Sequence, residues 1–164
     1  MALIRDGQLV DDAFIYIDET ATLPASGAVI VSLGCWQASR EALLQRDEQV
    51  GIRLRSDEPP DLIGAGLEKL AVIALEFPAF RDGRAYSYAR LLRERFGYQG
   101  ELRAVGDVLL EQLHFMVRTG FDAFVINSED PLGDFQVAAG DFSVWYQPTA
   151  DGRPTAHELR QRRR

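Results

Sequence analysis

The sequence predicts an α/β domain, a mostly parallel sheet with helices packed on it and an N-terminal β-hairpin at an edge. Three observations carry this. From residue 28 onward short apolar runs alternate with segments of helical periodicity, the pattern of repeated β-α units. The connections are a few residues long, which favours right-handed crossovers within one compact layer. The chain has 164 residues, 46% hydrophobic and 26% charged, which suits a single core and falls short of the ~250 residues of an eight-fold barrel. An open, doubly wound layer is the preferred form, and a half-barrel that pairs with a second copy is the alternative.

The opening reads as a hairpin, with Ile4 and Leu9-Val10 flanking the turn Arg5-Asp6-Gly7-Gln8 and Phe14–Ile17 adding strand composition. Strands are then predicted at Ala28–Leu33, Val50–Leu54, Leu70–Phe77, Glu101–Val105 and Ala123–Asn127, with Phe142–Gln147 as a sixth candidate. Helices are predicted at Gln37–Arg46, Asp61–Lys69, Arg84–Phe96, Val108–Thr119 and Asp130–Ala139. The clearest is Arg84–Phe96, where Ala85, Tyr88, Ala89, Leu92 and Phe96 recur at three- and four-residue steps before Gly97. Residues 1–148 form the expected domain. Residues 149–164, with Pro154, Gly152 and the closing Arg-Gln-Arg-Arg-Arg, read as a flexible Arg-rich tail.

Composition excludes several function classes. The net charge is −7, and residues 151–164 carry five Arg against Asp151 and Glu158, so the body holds −10 and the tail +3. An acidic body argues against nonspecific nucleic-acid binding. No apolar run approaches the ~20 residues of a membrane span, and the N-terminus lacks a signal-peptide core, so a cytoplasmic protein is expected. The single cysteine, Cys35, excludes an intramolecular disulfide and a Cys-clustered metal site; no metal site is expected. No cofactor is identifiable: Gly64-Ala65-Gly66 lacks a preceding strand and a third glycine in register, and no Walker-type loop is present.

Ligands of parallel α/β sheets gather where strands end, which directs attention to the loops after the third and fourth strands. Asp82-Gly83-Arg84 places a turn residue, a glycine and a guanidinium at a helix start, where free N–H groups favour an anion. Tyr86 and Ser87 lie in the same first turn, and Arg103 and Asp107 belong to the neighbouring strand and loop. Asp82, Gly83, Arg84, Tyr86, Ser87, Arg103 and Asp107 are therefore the candidate ligand-binding set, with Asp107 and Glu76 as candidates for acid–base work. The competing reading is an ion-pair network in which Asp82, Glu76 or Asp107 holds Arg84 or Arg103, with Asp107 capping the following helix. His114 lies mid-helix and reads as a surface or interface residue, and Cys35, at a strand end, as an inert thiol.

Over Leu70–Pro78, Asp82-Gly83-Arg84, Tyr86-Ser87, Ala89–Arg95, Gly100–Leu109, Gln112 and Gly120–Phe124, the chain resembles a bacterial family of uncharacterised proteins encoded beside the sulfite reductase haemoprotein and labelled as oxidoreductases of sulfite reduction. Ala79 and Ala85 depart from the family pattern and leave the Asp-Gly-Arg turn intact. The resemblance implies a role in assimilatory sulfate reduction and cysteine biosynthesis, and it implies no catalytic residue. The expected function is an accessory protein of sulfite reduction, with sulfite reductase haemoprotein or another sulfate-assimilation enzyme as partner and a small anion as ligand. The alternatives are an independent enzyme acting on a small anion and a structural or regulatory α/β module.

Overall fold

The computed structural model describes residues 1–19 and 21–162. The chain turns at once into the predicted hairpin, β1 (Ala2–Arg5) and β2 (Gln8–Val10), closed by Asp6 and Gly7 at φ 52° and 74°. Positive φ at both central positions gives the tight turn whose twist matches the flanking strands. β3 (Ile15–Ile17), β4 (Val29–Ser32), β5 (Val50–Leu54), β6 (Val72–Phe77), β7 (Glu101–Gly106) and β8 (Ala123–Ile126) follow. All are joined in one sheet of order β2-β1-β8-β7-β6-β5-β4-β3. β3 to β8 are parallel, and β1 lies antiparallel to β8, so the hairpin occupies an edge as expected.

The order corrects the doubly wound form. A doubly wound sheet reverses direction part-way through, whereas here each strand from β3 to β8 lies beside its predecessor. Right-handed crossovers that always step the same way put every helix on one face, and the sheet curls into a half-barrel. The curl is required by one contact: the Tyr16 hydroxyl of β3 lies 3.1 Å from a guanidinium nitrogen of Arg103 on β7. Four strand spacings would separate these strands by about 19 Å in a flat sheet.

The convex face packs under α1 (Leu33–Leu44), α2 (Arg84–Glu94), α3 (Leu113–Thr119) and α4 (Pro131–Gly140). The main core gathers Val29, Val31, Ile52, Ile73, Leu75 and Leu102 with Trp36, Ala89, Leu92 and Met116. A smaller cluster, Ile30, Val72, Ala74 and Val105, lies on the concave face with Phe14 against it.

Three predicted elements differ. Asp61–Lys69 is not a helix but two 3-10 turns, Pro60–Ile63 and Leu67–Lys69, because Gly64 and Gly66 adopt φ of 67° and 96° between them. A Cβ on Gly66 would lie 3.1 Å from Leu44 and 3.3 Å from Trp36, so this loop is pressed beneath α1. The helix expected from Val108 begins as a 3-10 turn at Leu110 and becomes α3 only at Leu113. Phe142–Gln147 forms no strand beyond one bridge between Trp145 and Thr155.

Within 149–164, α5 (Ala156–Gln161) is opened by a capping box between Thr155 and Glu158. Arg118 anchors the preceding turn through Asp151 at 3.2 Å and the Gln147 carbonyl at 2.6 Å, and stacks on Trp145 at 4.7 Å. Arg163 and Arg164, the last of the basic run, lie outside the described residues. No helix among the described residues is long and apolar enough to cross a membrane.

Candidate functional site

The loop after β6 folds as a compact hydrogen-bonded unit. Asp82 sits at the turn, its oxygens accepting from Arg84 Nε at 2.9 Å and Nη2 at 2.6 Å and from the Arg84 backbone N–H at 3.2 Å. The hydrogen bond from Arg84, with another from Ser56, holds the Asp82 carboxyl well below the usual carboxylate range. Arg84 also donates to Ser56 Oγ at 2.9 Å, and one turn on Tyr88 donates to the Ser56 carbonyl at 3.0 Å. α2 thus fastens the segment that leaves β5. Gly83 is the helix N-cap and supplies no side-chain bond. Tyr86 packs edge-on against Phe77 with ring centroids 5.1 Å apart, and burial pushes its hydroxyl up to about 12. Ser87 is exposed on the helix surface.

Arg103 lies elsewhere. It is 1% exposed on the concave face, where Nε donates to Glu101 at 2.6 Å and Nη1 to Asp12 at 2.9 Å and to Tyr16. Its guanidinium stacks over Phe14 at 5.5 Å, and Arg5 approaches the other oxygen of Glu101 at 3.5 Å. Burial opposes the charge, but the bonds that Arg103 donates to Glu101 and Tyr16 outweigh it and raise the Arg103 pKa. Arg84 and Arg103 share no hydrogen-bond partner among the described residues. The convergence of their guanidinium groups on one pocket is therefore corrected: each is matched to carboxylates of its own neighbourhood. Alternation along β7 explains the separation, because Arg103 points away from the helical face.

Asp107 does not cap the following helix. It is exposed, and the helix begins beyond it with Leu109 and then Gln112 at its caps. What shapes this turn is Gly106, at φ 90°, where a Cβ would lie 2.4 Å from the Phe77 carbonyl oxygen. That oxygen accepts the Asp107 N–H at 2.7 Å. Backbone pairing between neighbouring strands thus places Asp107, while its side chain remains in solvent. Glu76 faces the concave side, 3.9 Å from Arg53.

The remaining sequence candidates take structural places. The Cys35 thiol is raised by burial, the direction expected of an inert thiol. His114 packs between Phe115 and Phe142 at 4.5 and 5.0 Å.

Sequence reasoning passed over the mouth of the half-barrel at the ends of β4 and β5. There Asp18, Glu19, Ser32, Arg53, Arg55 and Glu58 enclose a cleft of about 230 Å³. The available signal was Arg53 itself, a lone charge inside the apolar strand Val50–Leu54.

The half-barrel with a charged mouth at the strand ends defines a class of α/β protein, and a fold of this class does not by itself name an activity. Residues 51–157, about two-thirds of the chain, match the model of a family described as bacterial proteins of unknown function (DUF934), and the chain belongs to that family. No match is found among curated proteins.

Proposed function

We propose that the protein is an accessory component of assimilatory sulfite reduction, working in the cytoplasm by docking on sulfite reductase haemoprotein in the service of cysteine biosynthesis. The observation that favours a docking role over an independent anion-processing enzyme is the neutralisation of both candidate arginines: Arg84 by Asp82, and Arg103 by Glu101 and Asp12. With those cations engaged internally, the outward chemistry of the body is its excess of carboxylates, −10 over residues 1–150. Such a surface complements a basic patch on a partner and speeds encounter with it. The connection to sulfite reductase rests on the resemblance over residues 70–124, and the choice of partner follows from that alone.

The test is genetic and biochemical. A deletion strain is expected to grow poorly on sulfate or sulfite and normally on sulfide or cysteine, and the tagged protein is expected to co-purify with the haemoprotein at low salt and dissociate as ionic strength rises. Normal growth of the deletion strain on sulfate, with no second copy of the gene, overturns the reading.

A further inference from the structure

We infer that the mouth of the half-barrel is a binding site for a small zwitterion of the α-amino-acid class, with Arg53 receiving the carboxylate. This is independent of the docking role above.

Arg53 carries an incompletely used guanidinium. Arg53 stands on the concave face, in register with Ser32 on β4 and Ala74 on β6, and its side chain is 34% exposed. Among the described residues it makes one hydrogen bond, from Nη2 to Asp18 Oδ1 at 3.3 Å; Glu76 stays 3.9 Å from Nε. Arg93 and Arg103, both more deeply buried, are far better matched. Arg93 donates to four oxygens at 2.6–3.0 Å, and Arg103 to three at 2.6–3.1 Å. A guanidinium carries five N–H donors in a planar fork suited to bidentate carboxylate recognition. Among the described residues four of the Arg53 donors are thus unused, beside a cleft of about 230 Å³.

Its neighbours supply the rest. Ser32 Oγ already accepts the Cys35 N–H, which leaves its own hydrogen to donate to an oxygen in the cleft. The carboxylates that line the cleft, Asp18, Glu19 and Glu58, outnumber its two arginines, Arg53 and Arg55. A simple anion would meet repulsion from these acids. A ligand with an ammonium group next to its carboxylate satisfies both signs at once, each bond being charge-assisted.

The floor is also held in place. Glu58 accepts the Arg55 N–H at 2.8 Å and the Arg55 guanidinium at 3.1 Å, while Ser56 between them is tied to Arg84 and Tyr88 on α2. The Asp82–Arg84 pair therefore acts as a positioning element for this cleft.

The experiment is titration calorimetry with the full chain against each of the twenty common α-amino acids, followed by the best binder's analogues lacking the ammonium or the carboxylate. At least one amino acid is expected to bind with Kd below about 1 mM, and each analogue to bind at least tenfold more weakly. Arg53→Gln is expected to weaken binding at least tenfold with unchanged unliganded melting, whereas Arg95→Gln, the same charge change at the exposed end of α2, leaves it unaltered. Failure of all twenty to bind, or equal binding by Arg53→Gln, overturns the site. Equal affinity for the analogue lacking the ammonium overturns the ligand class.

Discussion

Replacing Arg103 by alanine tests how the concave face is held. The substitution removes a cation that is 1% exposed and leaves Glu101, 9% exposed, with Arg5 at 3.5 Å as its one remaining cation among the described residues. Breaking one side of a buried pair costs about 3–5 kcal/mol, chiefly because the surviving charge stays desolvated. Asp12 is 29% exposed and can turn to water, and Glu101 keeps a distant partner. Both facts place the cost near the lower end, about 3 kcal/mol. For a domain of this size that corresponds to a fall in Tm of roughly 6–12 °C. Urea unfolding followed by tryptophan fluorescence measures it, since Trp36 is wholly buried in the core. The contrast is Arg84→Ala: Arg84 is 53% exposed, and an exposed pair contributes little to stability, so a far smaller fall in Tm is expected. The combined variant Arg103→Met with Glu101→Gln removes both charges and is expected to recover most of the loss. If Arg103→Ala loses less than about 1 kcal/mol, the concave network does not hold the curl and the reasoning fails.

Gly106→Ala places a Cβ 2.4 Å from the Phe77 carbonyl oxygen at a φ of 90°, so a loss exceeding about 2 kcal/mol is expected in urea unfolding; a neutral result would refute the close approach of β6 and β7. Burial pushes the Asp122 carboxyl up to about 6 against the pull of Arg93 and the Leu102 N–H. A folded-state pKa above the unfolded value favours the protonated form, so this contribution is fully present below about pH 4 and lost as pH rises through about 6. Asp82 and Glu158 have the opposite sign, their stabilisation being lost as pH falls into and below the ordinary carboxylate range, so the window between about pH 5 and 6.5 reports chiefly on Asp122. Comparing melting temperatures across that window, Asp122→Asn is expected to remove a downward slope present in the unaltered protein; parallel slopes would contradict the assignment.

The β-α alternation, the hairpin at Asp6-Gly7 and the helix opening at Arg84 were all legible in the sequence, because local rules set them: apolar periodicity, the positive φ that the turn demands, and the breaks between elements. The Asp82–Arg84 pair was legible too, as partners two residues apart. Gly64 and Gly66 were visible as residues but not as helix breakers pressed against Trp36. The late start of α3, beyond Asp107, likewise escaped a reading that takes an acidic residue before an apolar run as a cap.

Strand order belonged to the tertiary structure. Consecutive β-α units satisfy the same local pattern whether each strand is added always on one side or on both, so periodicity does not distinguish a half-barrel from a doubly wound layer. Once the strands step one way, the sheet curls and a second face appears, lined by the alternate residues of each strand. That curl brings Asp12 and Tyr16 to Arg103 across 87 and more residues of chain, while strand register sets Arg53 beside Glu76 on the neighbouring β6. Sequence alone determined which residues carry charge within apolar strands; which charges meet was decided by the closure of the sheet, because electrostatic pairing acts over a few ångströms in space and takes no account of separation along the chain.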